Sequence, residues 1–196
     1  QFGVGGNPYW KVYNNTGTGF STNNSTWNTP VGGYYTSSGV NLGFSRFSSS
    51  NASYANCQNW NILDITGDKK PDLIVHSQFM TSTSRIEQYG VGSSPYWKIY
   101  VNSGNSFASS VTNWTTPVGG YYNSNGVNQG YVGLAESNPS NNNSQEWNVL
   151  DINGDDKADL IVPSEYQSTN GGTSQYGASV NPYWKVYLNS GITGVN

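Results

Sequence analysis

The sequence predicts an all-β fold made of repeated short strands, and three observations predict it. The first is an internal repeat of 87 residues that runs through nearly all of the 196-residue chain. The second is a series of short apolar runs bounded by Gly, Pro, Asn and Ser, which is the pattern of strands and turns. The third is that no stretch of useful length has the 3.6-residue periodicity of a helix. Because a fixed period is the signature of stacked supersecondary units, these observations favour a repeat architecture.

The repeat is defined by motifs that return at the same interval. Pro-Tyr-Trp-Lys-Val-Tyr at 8–13 returns with one change at 95–100 and unchanged at 182–187. Leu-Asp-Ile-Thr-Gly-Asp at 63–68 returns as Leu-Asp-Ile-Asn-Gly-Asp at 150–155. All seven tryptophans fall into repeat columns, which are Trp10, Trp97 and Trp184; Trp27 and Trp114; Trp60 and Trp147. The chain therefore divides into repeat 1 at 1–87, repeat 2 at 88–174 and a partial repeat 3 at 175–196, with one strand and a tail.

Four strands are predicted in the order in which their signals occur. Residues 60–65 alternate in polarity and form the first strand, and 72–76 are continuously apolar, which indicates a strand buried on both faces. Residues 96–101 form the third strand and 107–114 the fourth, which Pro117 ends. The connectors at 31–59 and 118–146 are predicted as long Gly-, Ser- and Asn-rich loops, in which 127–134 can hold one further strand.

Four antiparallel strands repeated radially are typical of β-propeller blades. Divided by strand type, the chain holds the third and fourth strands at its N-terminus, one complete blade, and the first three strands at its C-terminus. Propellers close with about 4–8 blades, so two 87-residue repeats do not close a ring. We therefore expect a longer chain or other copies to complete the ring or array. The extra third strand at the C-terminus is surplus in that scheme.

Composition excludes several functions. Charged residues make up 10% of the chain, against about 25% in an average domain. With eight Lys and Arg and a net charge of −3, the chain is expected to bind no nucleic acid. No apolar run reaches about 18 residues, which predicts no membrane insertion. His76 and the single cysteine, Cys57, are replaced by Pro163 and Ser144 in the second repeat, so no catalytic constellation repeats and no enzyme is expected. The polar, aromatic and turn-rich composition favours an extracellular, secreted or cell-surface protein.

Two acidic loops carry most of the acidic residues and share the pattern Asp-x-Thr/Asn-Gly-Asp-x-x-x-Asp. Oxygen atoms at loop positions one, three, five and nine, with a backbone carbonyl at seven, suit Ca²⁺, which takes 6–8 oxygen ligands. The two predicted ligand sets are Asp64, Thr66, Asp68, the Lys70 carbonyl and Asp72; and Asp151, Asn153, Asp155, the Lys157 carbonyl and Asp159. Thr66 is a poorer ligand than Asn153, so the first site is expected to be weaker. The alternative is a pair of metal-free turns whose carboxylates cap backbone amides.

The acidic loop followed by a Leu-Ile-Val strand resembles the FG-GAP or VCBS repeat of integrin α-subunit propellers and of some lectins. The resemblance covers both repeats and implies a calcium-loaded propeller blade with an extracellular adhesive or recognition role. The chain departs from the family at loop position six, where Lys69 and Asp156 stand in place of a common Gly. The 87-residue period is also longer than that of an ordinary blade.

Binding is the class of function that the aromatic residues favour. Tyrosine and tryptophan present flat contact faces, and Asn, Ser and Gly supply adaptable hydrogen bonds, which together suit sugar rings. The candidate carbohydrate-binding residues are the tyrosine pairs that follow Gly-Gly, expected to face outward from loops, and two tryptophans as second choices: Tyr34, Tyr35, Tyr121, Tyr122, Trp27 and Trp114. The alternative is that these aromatics pack between neighbouring units.

Two functions follow from this sequence. The first is a calcium-stabilised repeat protein with a lectin-like or adhesive role toward glycans or cell-surface ligands. The second is a structural subunit of an extracellular filament or sheath, assembled by strand exchange between copies, which the unclosed strand count and the low charge favour.

Overall fold

The computed structural model describes residues 1–50 and 52–191, which form fifteen strands and no helix. The chain is therefore all-β, as the sequence predicts. Asn51 and residues 192–196 of the partial third repeat lie outside the described part. No helix able to cross a membrane is found in that part.

The strands recur at the 87-residue interval of the sequence. The first seven are β1 (Tyr9–Val12), β2 (Ser25–Asn28), β3 (Tyr34–Tyr35), β4 (Asn41–Gly43), β5 (Gln58–Leu63), β6 (Asp72–Met80) and β7 (Arg85–Gln88). The next seven are β8 (Tyr96–Tyr100), β9 (Thr112–Thr115), β10 (Tyr121–Tyr122), β11 (Asn128–Gly130), β12 (Gln145–Leu150), β13 (Asp159–Gln167) and β14 (Gly172–Gln175). The last is β15 (Lys185–Tyr187), which is the third copy of β1 and β8.

Three sheets contain the strands that the sequence predicts. The central sheet pairs β5-β6-β8-β9 in antiparallel order, with β7 added along the far end of β6. An N-terminal sheet pairs β1 with β2, and a C-terminal sheet pairs β12-β13-β14 with β15 on the other part of β13. All sheets of the described residues are open, and none closes into a barrel.

The central sheet is buried on both faces, which explains the continuous apolar run in β6. Leu73 and Val75 join a core cluster with Phe44 and Trp60, which the N-terminal tryptophans flank. Ile74 points the other way, into the cluster that Leu160 and Val162 of the C-terminal sheet share. Since alternate side chains of a strand point to opposite faces, only a strand between two layers is apolar at every position.

The connectors contain more structure than the loops that the sequence predicts. Residues 31–59 hold the hairpin β3–β4, and 118–146 hold the hairpin β10–β11. The further strand expected within 127–134 is present but spans only Asn128–Gly130. The predicted fourth strand at 107–114 begins at Thr112 in the structure, and β7 and β14 are strands that the sequence did not predict. These elements were missed because strands of two to four mostly polar residues carry no readable alternation.

A β-bulge lies at the same place in both repeats. In the first repeat Asn59 faces Ser77 and Trp60 faces Val75, so His76 is the extra residue of the bulge. In the second repeat the register shifts at the equivalent point, beside Pro163. A residue in a bulge is left out of the ladder, so proline, which lacks a backbone N–H, is tolerated there.

Candidate calcium loops and aromatic cleft

The first acidic loop is held together by Asp64 at its first position. One carboxylate oxygen of Asp64 accepts the backbone N–H of Gly67 at 2.8 Å, and the other accepts that of Lys69 at 2.6 Å. Gly67 has a φ of +80° and Lys69 a φ of +66°. The glycine at position four therefore serves the turn as the sequence predicts, while Lys69 takes a left-handed conformation that favours glycine.

The carboxylate at position nine ties the loop to the next strand. Asp72 is fully buried and accepts backbone N–H groups from Ile65, Thr66 and Asn102, at 3.3, 3.3 and 2.8 Å. Burial raises the pKa of the Asp72 carboxyl, while these hydrogen bonds favour its ionised form. The side chain therefore anchors the loop whether or not a cation is bound.

The second loop repeats these contacts in a more open setting. Asp151 accepts the N–H groups of Gly154 and Asp156 at 2.7 and 2.9 Å, and Asp159 accepts that of Asn189 at 2.7 Å. Ile65 in the first loop is 1% exposed, whereas its counterpart Ile152 is 40% exposed. The two isoleucines differ in exposure because the second repeat packs over the first loop. Ile65 lies in the same core cluster as Leu160 of the second repeat.

A lysine neutralises the position-five carboxylate in each loop. The Lys70 Nζ lies 3.0 Å from Asp68, and the Lys157 Nζ lies 3.3 Å from Asp155. The backbone N–H of Lys157, with its ammonium group, lowers the pKa of Asp155. A single ion pair between Lys69 and Asp156, at 3.8 Å, bridges the two loops, which therefore lie side by side.

The donor atoms fit a hard cation in kind, because every predicted ligand is an oxygen. In residues 1–50 and 52–191 no three His, Cys, Asp or Glu side chains come together as a metal group. The loop carboxylates cap backbone amides instead, which is the geometry of the metal-free turn, and capping leaves each oxygen a further lone pair. The calcium sites at Asp64, Thr66, Asp68, Lys70 and Asp72, and at Asp151, Asn153, Asp155, Lys157 and Asp159, stay predictions.

One column of residues was missed in the sequence, and two of its members are hydrogen-bonded to the acidic loops. Asn102 and Asn189 are buried just after β8 and β15, and each side chain bonds the acidic loop region. The Asn102 amide donates to the Pro71 carbonyl at 2.9 Å, and that of Asn189 donates to the Ile65 carbonyl at 2.7 Å. Asn15 completes the column, so the motif Asn-x-Gly at the 87-residue interval was the signal.

The tyrosine pairs lie on short strands rather than in loops. Tyr34 and Tyr35 form β3, Tyr121 and Tyr122 form β10, and all four are half-buried. The hydroxyls of Tyr35 and Tyr122 accept hydrogen bonds at 3.1 Å from the asparagines six residues further on. The expectation that these side chains lie in loops is therefore wrong, and Tyr34 and Tyr121 pack against the two core clusters.

The two candidate tryptophans are also half-buried. Trp27 on β2 pairs across the strands with Trp10 and lies 6.2 Å from the ring of Phe107. Trp114 on β9 pairs with Trp97 and packs against the core between the central and C-terminal sheets. Within the described residues the buried indole N–H of Trp27 has no acceptor. One side of each ring therefore contributes to packing between neighbouring sheets.

An aromatic cleft lies beside β3 in the first repeat. It has a volume of about 300 Å³, with Tyr34 and Trp60 as its aromatic residues. The other lining residues are the apolar Leu42 and the polar Arg46, Ser45, Ser49 and Ser53. Arg46 is exposed and is replaced by Gly133 in the second repeat, so the two copies of this region differ in charge.

Comparison of the chain with family models, curated proteins and solved structures gives no match in any of the three. The likeness to FG-GAP repeats therefore rests on the acidic loops and the strands that follow them.

Proposed function

We propose that the chain is a secreted, calcium-stabilised repeat protein that binds glycans at the aromatic cleft of its first repeat. The observation that carries the proposal is the combination of Tyr34 with Arg46 and three serines around one opening of about 300 Å³. This volume is at the lower end of small-ligand sites, which span roughly 300–1,000 Å³.

The chemistry of the cleft suits a sugar ring. The C–H groups of a pyranose pack on an aromatic face, as the Tyr34 ring offers, while the serine hydroxyls exchange hydrogen bonds with its hydroxyls. The exposed guanidinium of Arg46 adds up to five donors and a positive charge, so acidic or multiply hydroxylated sugars are the preferred class.

A glycan array, followed by calorimetry on the best ligand, tests this proposal. Tyr34→Leu keeps an apolar side chain but removes the flat face, so binding falls at least tenfold, whereas Tyr34→Phe keeps most of it. Arg46→Gly copies the second repeat and weakens binding to acidic glycans. Tyr121→Leu, the matched change in the second repeat, leaves binding unchanged. Absence of binding to any glycan at high protein concentration contradicts the proposal.

Calcium has a stabilising role in this proposal. A cation between the position-one and position-five carboxylates takes over the charge that Lys70 and Lys157 now neutralise. Oxygen-only donor sets and clustered aspartates support this assignment. We also infer that the central sheet is a propeller-type blade with β7 as an additional strand, which the four-stranded path β5-β6-β8-β9 supports.

A second candidate is a structural subunit of an extracellular filament or sheath built from copies of the chain. It is favoured by strand edges that are open in the described residues at both ends: β1 pairs only with β2, and β15 only with β13. Electron microscopy separates the candidates, because ordered filaments at high concentration support the second and dispersed monomers remove it.

A further inference from the structure

Two segments of the chain, 1–13 and 175–187, are copies of one another. Nine of their thirteen residues are identical, including the whole of Pro-Tyr-Trp-Lys-Val-Tyr. They also make the same internal contacts. Phe2 stacks on Tyr9 at 5.5 Å and Tyr176 on Tyr183 at 5.8 Å, and a lysine lies over the first ring of each pair. The two segments therefore have nearly the same local shape.

The C-terminal copy fills a defined place on the edge of β13. Its strand β15 pairs Val186 with Ile161 and Tyr187 with Leu160. This register matches that of β8 on β6, where Ile99 pairs with Ile74. The edge of β13 can therefore pair with any strand of the β1, β8 and β15 type.

The C-terminal copy is held less completely than the middle one. Trp97 on β8 is 2% exposed and donates its indole N–H to the Tyr131 carbonyl at 2.8 Å, whereas Trp184 beside β15 is 55% exposed. Val180 and Leu188, on either side of the strand, are 81% and 62% exposed. No described residue covers β15 as β9 and the following connector cover β8. Within the described residues, β15 therefore lacks the packing that stabilises β8.

In the N-terminal copy the covering strand is present, but among the described residues the other edge of the strand is unpaired. Strand β1 is already paired with β2 along one edge, but its other edge is open in the described part of the chain. A pocket of about 480 Å³ lies at this end, where Phe2, Trp10 and Val12 line it together with the charged Lys11 and Arg46. In the middle of the molecule Ile99, the counterpart of Val12, is fully buried against the adjoining strand β6, and His76 of that strand meets the ring of Trp97 at 5.5 Å. The open edge of β1 is thus complementary to the edge of β13 that β15 occupies.

We propose that two copies of the chain associate head to tail by strand exchange: β1 of one copy replaces β15 on β13 of the other. The composite sheet β12-β13-β1-β2 then reproduces the central sheet β5-β6-β8-β9. The occupant is a second copy because its segment 1–13 carries the same hexapeptide and brings β2, which β15 lacks. This inference names the interface of the structural-subunit candidate and does not depend on glycan binding. It also explains the surplus third strand at the C-terminus, since β15 pairs with the edge of β13 until exchange occurs.

Exchange depends on protein concentration, because β15 of the same chain competes with β1 of another copy for the edge of β13. A tethered strand such as β15 competes at an effective concentration in the millimolar range, so the closed monomer dominates at micromolar concentrations. Val186→Asp places a charge opposite the buried Ile161, which weakens the pairing of β15 with β13 and frees the edge of β13. We expect the apparent dimerisation constant of this full-length variant to tighten at least tenfold in analytical ultracentrifugation. Val12→Asp, the same change at the same position of the hexapeptide, abolishes association in either background.

A folded Val186→Asp variant that stays monomeric overturns the proposal, as does a Val12→Asp variant that associates as readily as the parent. If the Val186→Asp variant does not fold, a disulfide trap tests whether β1 pairs with β13 of another copy. Val12→Cys and Ile161→Cys are made on separate full-length chains in which Cys57→Ser removes the native thiol. Mixing them under mild oxidation yields a cross-linked dimer, because these positions face each other only when β1 lies on β13.

Lys11→Cys is the matched control for the trap, since neighbouring side chains on a strand point to opposite faces. It yields little cross-link with Ile161→Cys. No cross-link for Val12→Cys, or equal yields for both cysteines, refutes the exchange. A cross-linked dimer without filaments in electron microscopy keeps the exchange and removes the structural-subunit candidate.

Discussion

His76 is the buried titratable residue whose position the bulge of β6 explains. It is fully buried, its ring meets Trp97 edge-on, and neither ring nitrogen has a hydrogen-bond partner in the described part of the chain. Burial lowers the pKa of the imidazole to about 3, because the charged form loses its hydration. The side chain is thus a neutral core residue in the folded protein.

This burial predicts an acid-sensitive fold. Below an unfolded-state pKa of about 6.5 the unfolded chain takes up a proton at His76 that the folded chain does not, so stability falls as pH drops from about 6.5 toward 3. At pH 5 the loss amounts to about 2 kcal/mol. Denaturant unfolding of wild type and His76→Leu at pH 7 and pH 5 measures it. The variant should lose less stability than wild type between the two pH values, and an equal loss contradicts the assignment.

Lys69 gives a second prediction at the residue scale. Its φ of +66° costs a side-chain-bearing residue about 1 kcal/mol, and its ion pair with Asp156 is exposed and contributes little. Lys69→Gly should therefore raise the free energy of unfolding by up to about 1 kcal/mol. Lys70→Gly, at the neighbouring position without a positive φ, should lower it. Chemical denaturation of both variants compares them, and a destabilised Lys69→Gly would refute the strain argument.

Repeat comparison explains individual residues that composition alone does not. Cys57 bonds both backbone groups of Tyr35 through its sulfur, at 3.2 and 3.0 Å, and Ser144 makes the same pair of bonds to Tyr122. The sequence predicts this equivalence because the two residues share a column. It does not predict the burial of His76, since a bulge leaves no trace in the apolar pattern.

At the scale of elements, the residue that follows β8 is hydrogen-bonded to the acidic loop that precedes β6. Asn102 follows β8 and is 3% exposed. It donates its backbone N–H to the Asp72 carboxylate and its side-chain amide to the Pro71 carbonyl. Its side-chain oxygen also accepts the N–H of Gly104 at 2.7 Å. The side chain therefore fixes the position of the acidic loop relative to the central sheet.

Asn102→Ala should destabilise the protein by about 1–3 kcal/mol, because it leaves buried backbone groups without partners. Asn15→Ala is the matched control: Asn15 is exposed, and among the described residues its side chain bonds the N–H of Gly17 alone, so its loss should cost about 0.5 kcal/mol or less. Thermal unfolding of both variants supplies the comparison. Equal effects would mean that the buried hydrogen bonds contribute nothing specific.

The strands that could be predicted are those with apolar residues on two faces. Residues 72–76 and 96–101 match the first half of β6 and all of β8, because burial between layers imposes the apolar pattern. The predicted strand 60–65 overlaps β5 only over 60–63, since β5 spans Gln58–Leu63 and the acidic loop follows it. The hairpins of the connectors could not be predicted, since their residues are half-buried and their register shifts at Tyr34 and Tyr121. Asn102 was predictable in principle from its repeat column.

At the scale of the whole molecule, burial follows the position of each repeat in the stack. Trp10 is half-buried, Trp97 is 2% exposed and Trp184 is 55% exposed, although all three occupy the same column. Identical local sequence therefore meets different surroundings, because only the middle copy has a repeat on either side. The repeat in the sequence predicts the tryptophan column but not these differences in burial, which depend on which repeats are adjacent.

Calcium should stabilise the whole chain by mass action. An ion at one hundred times its dissociation constant adds about 2.7 kcal/mol per site, so chelation lowers Tm. We expect Asp151→Ala or Asp155→Ala to remove more of the calcium-dependent rise in Tm than Asp64→Ala or Asp68→Ala, since Asn153 is the better ligand and Lys69 lowers the charge of the first loop. Calorimetric scans with and without chelator test the order. Equal losses in the two loops would reject it.

The most direct measurement is a calorimetric titration of the metal-free, full-length chain with Ca²⁺. We expect two ions to bind per chain and one ion to bind to the Asp151→Ala variant, with Mg²⁺ binding more weakly because irregular oxygen loops suit the larger ion. If the correctly folded chain takes up no calcium, the calcium sites are refuted, and the acidic loops are turns held by amide capping alone.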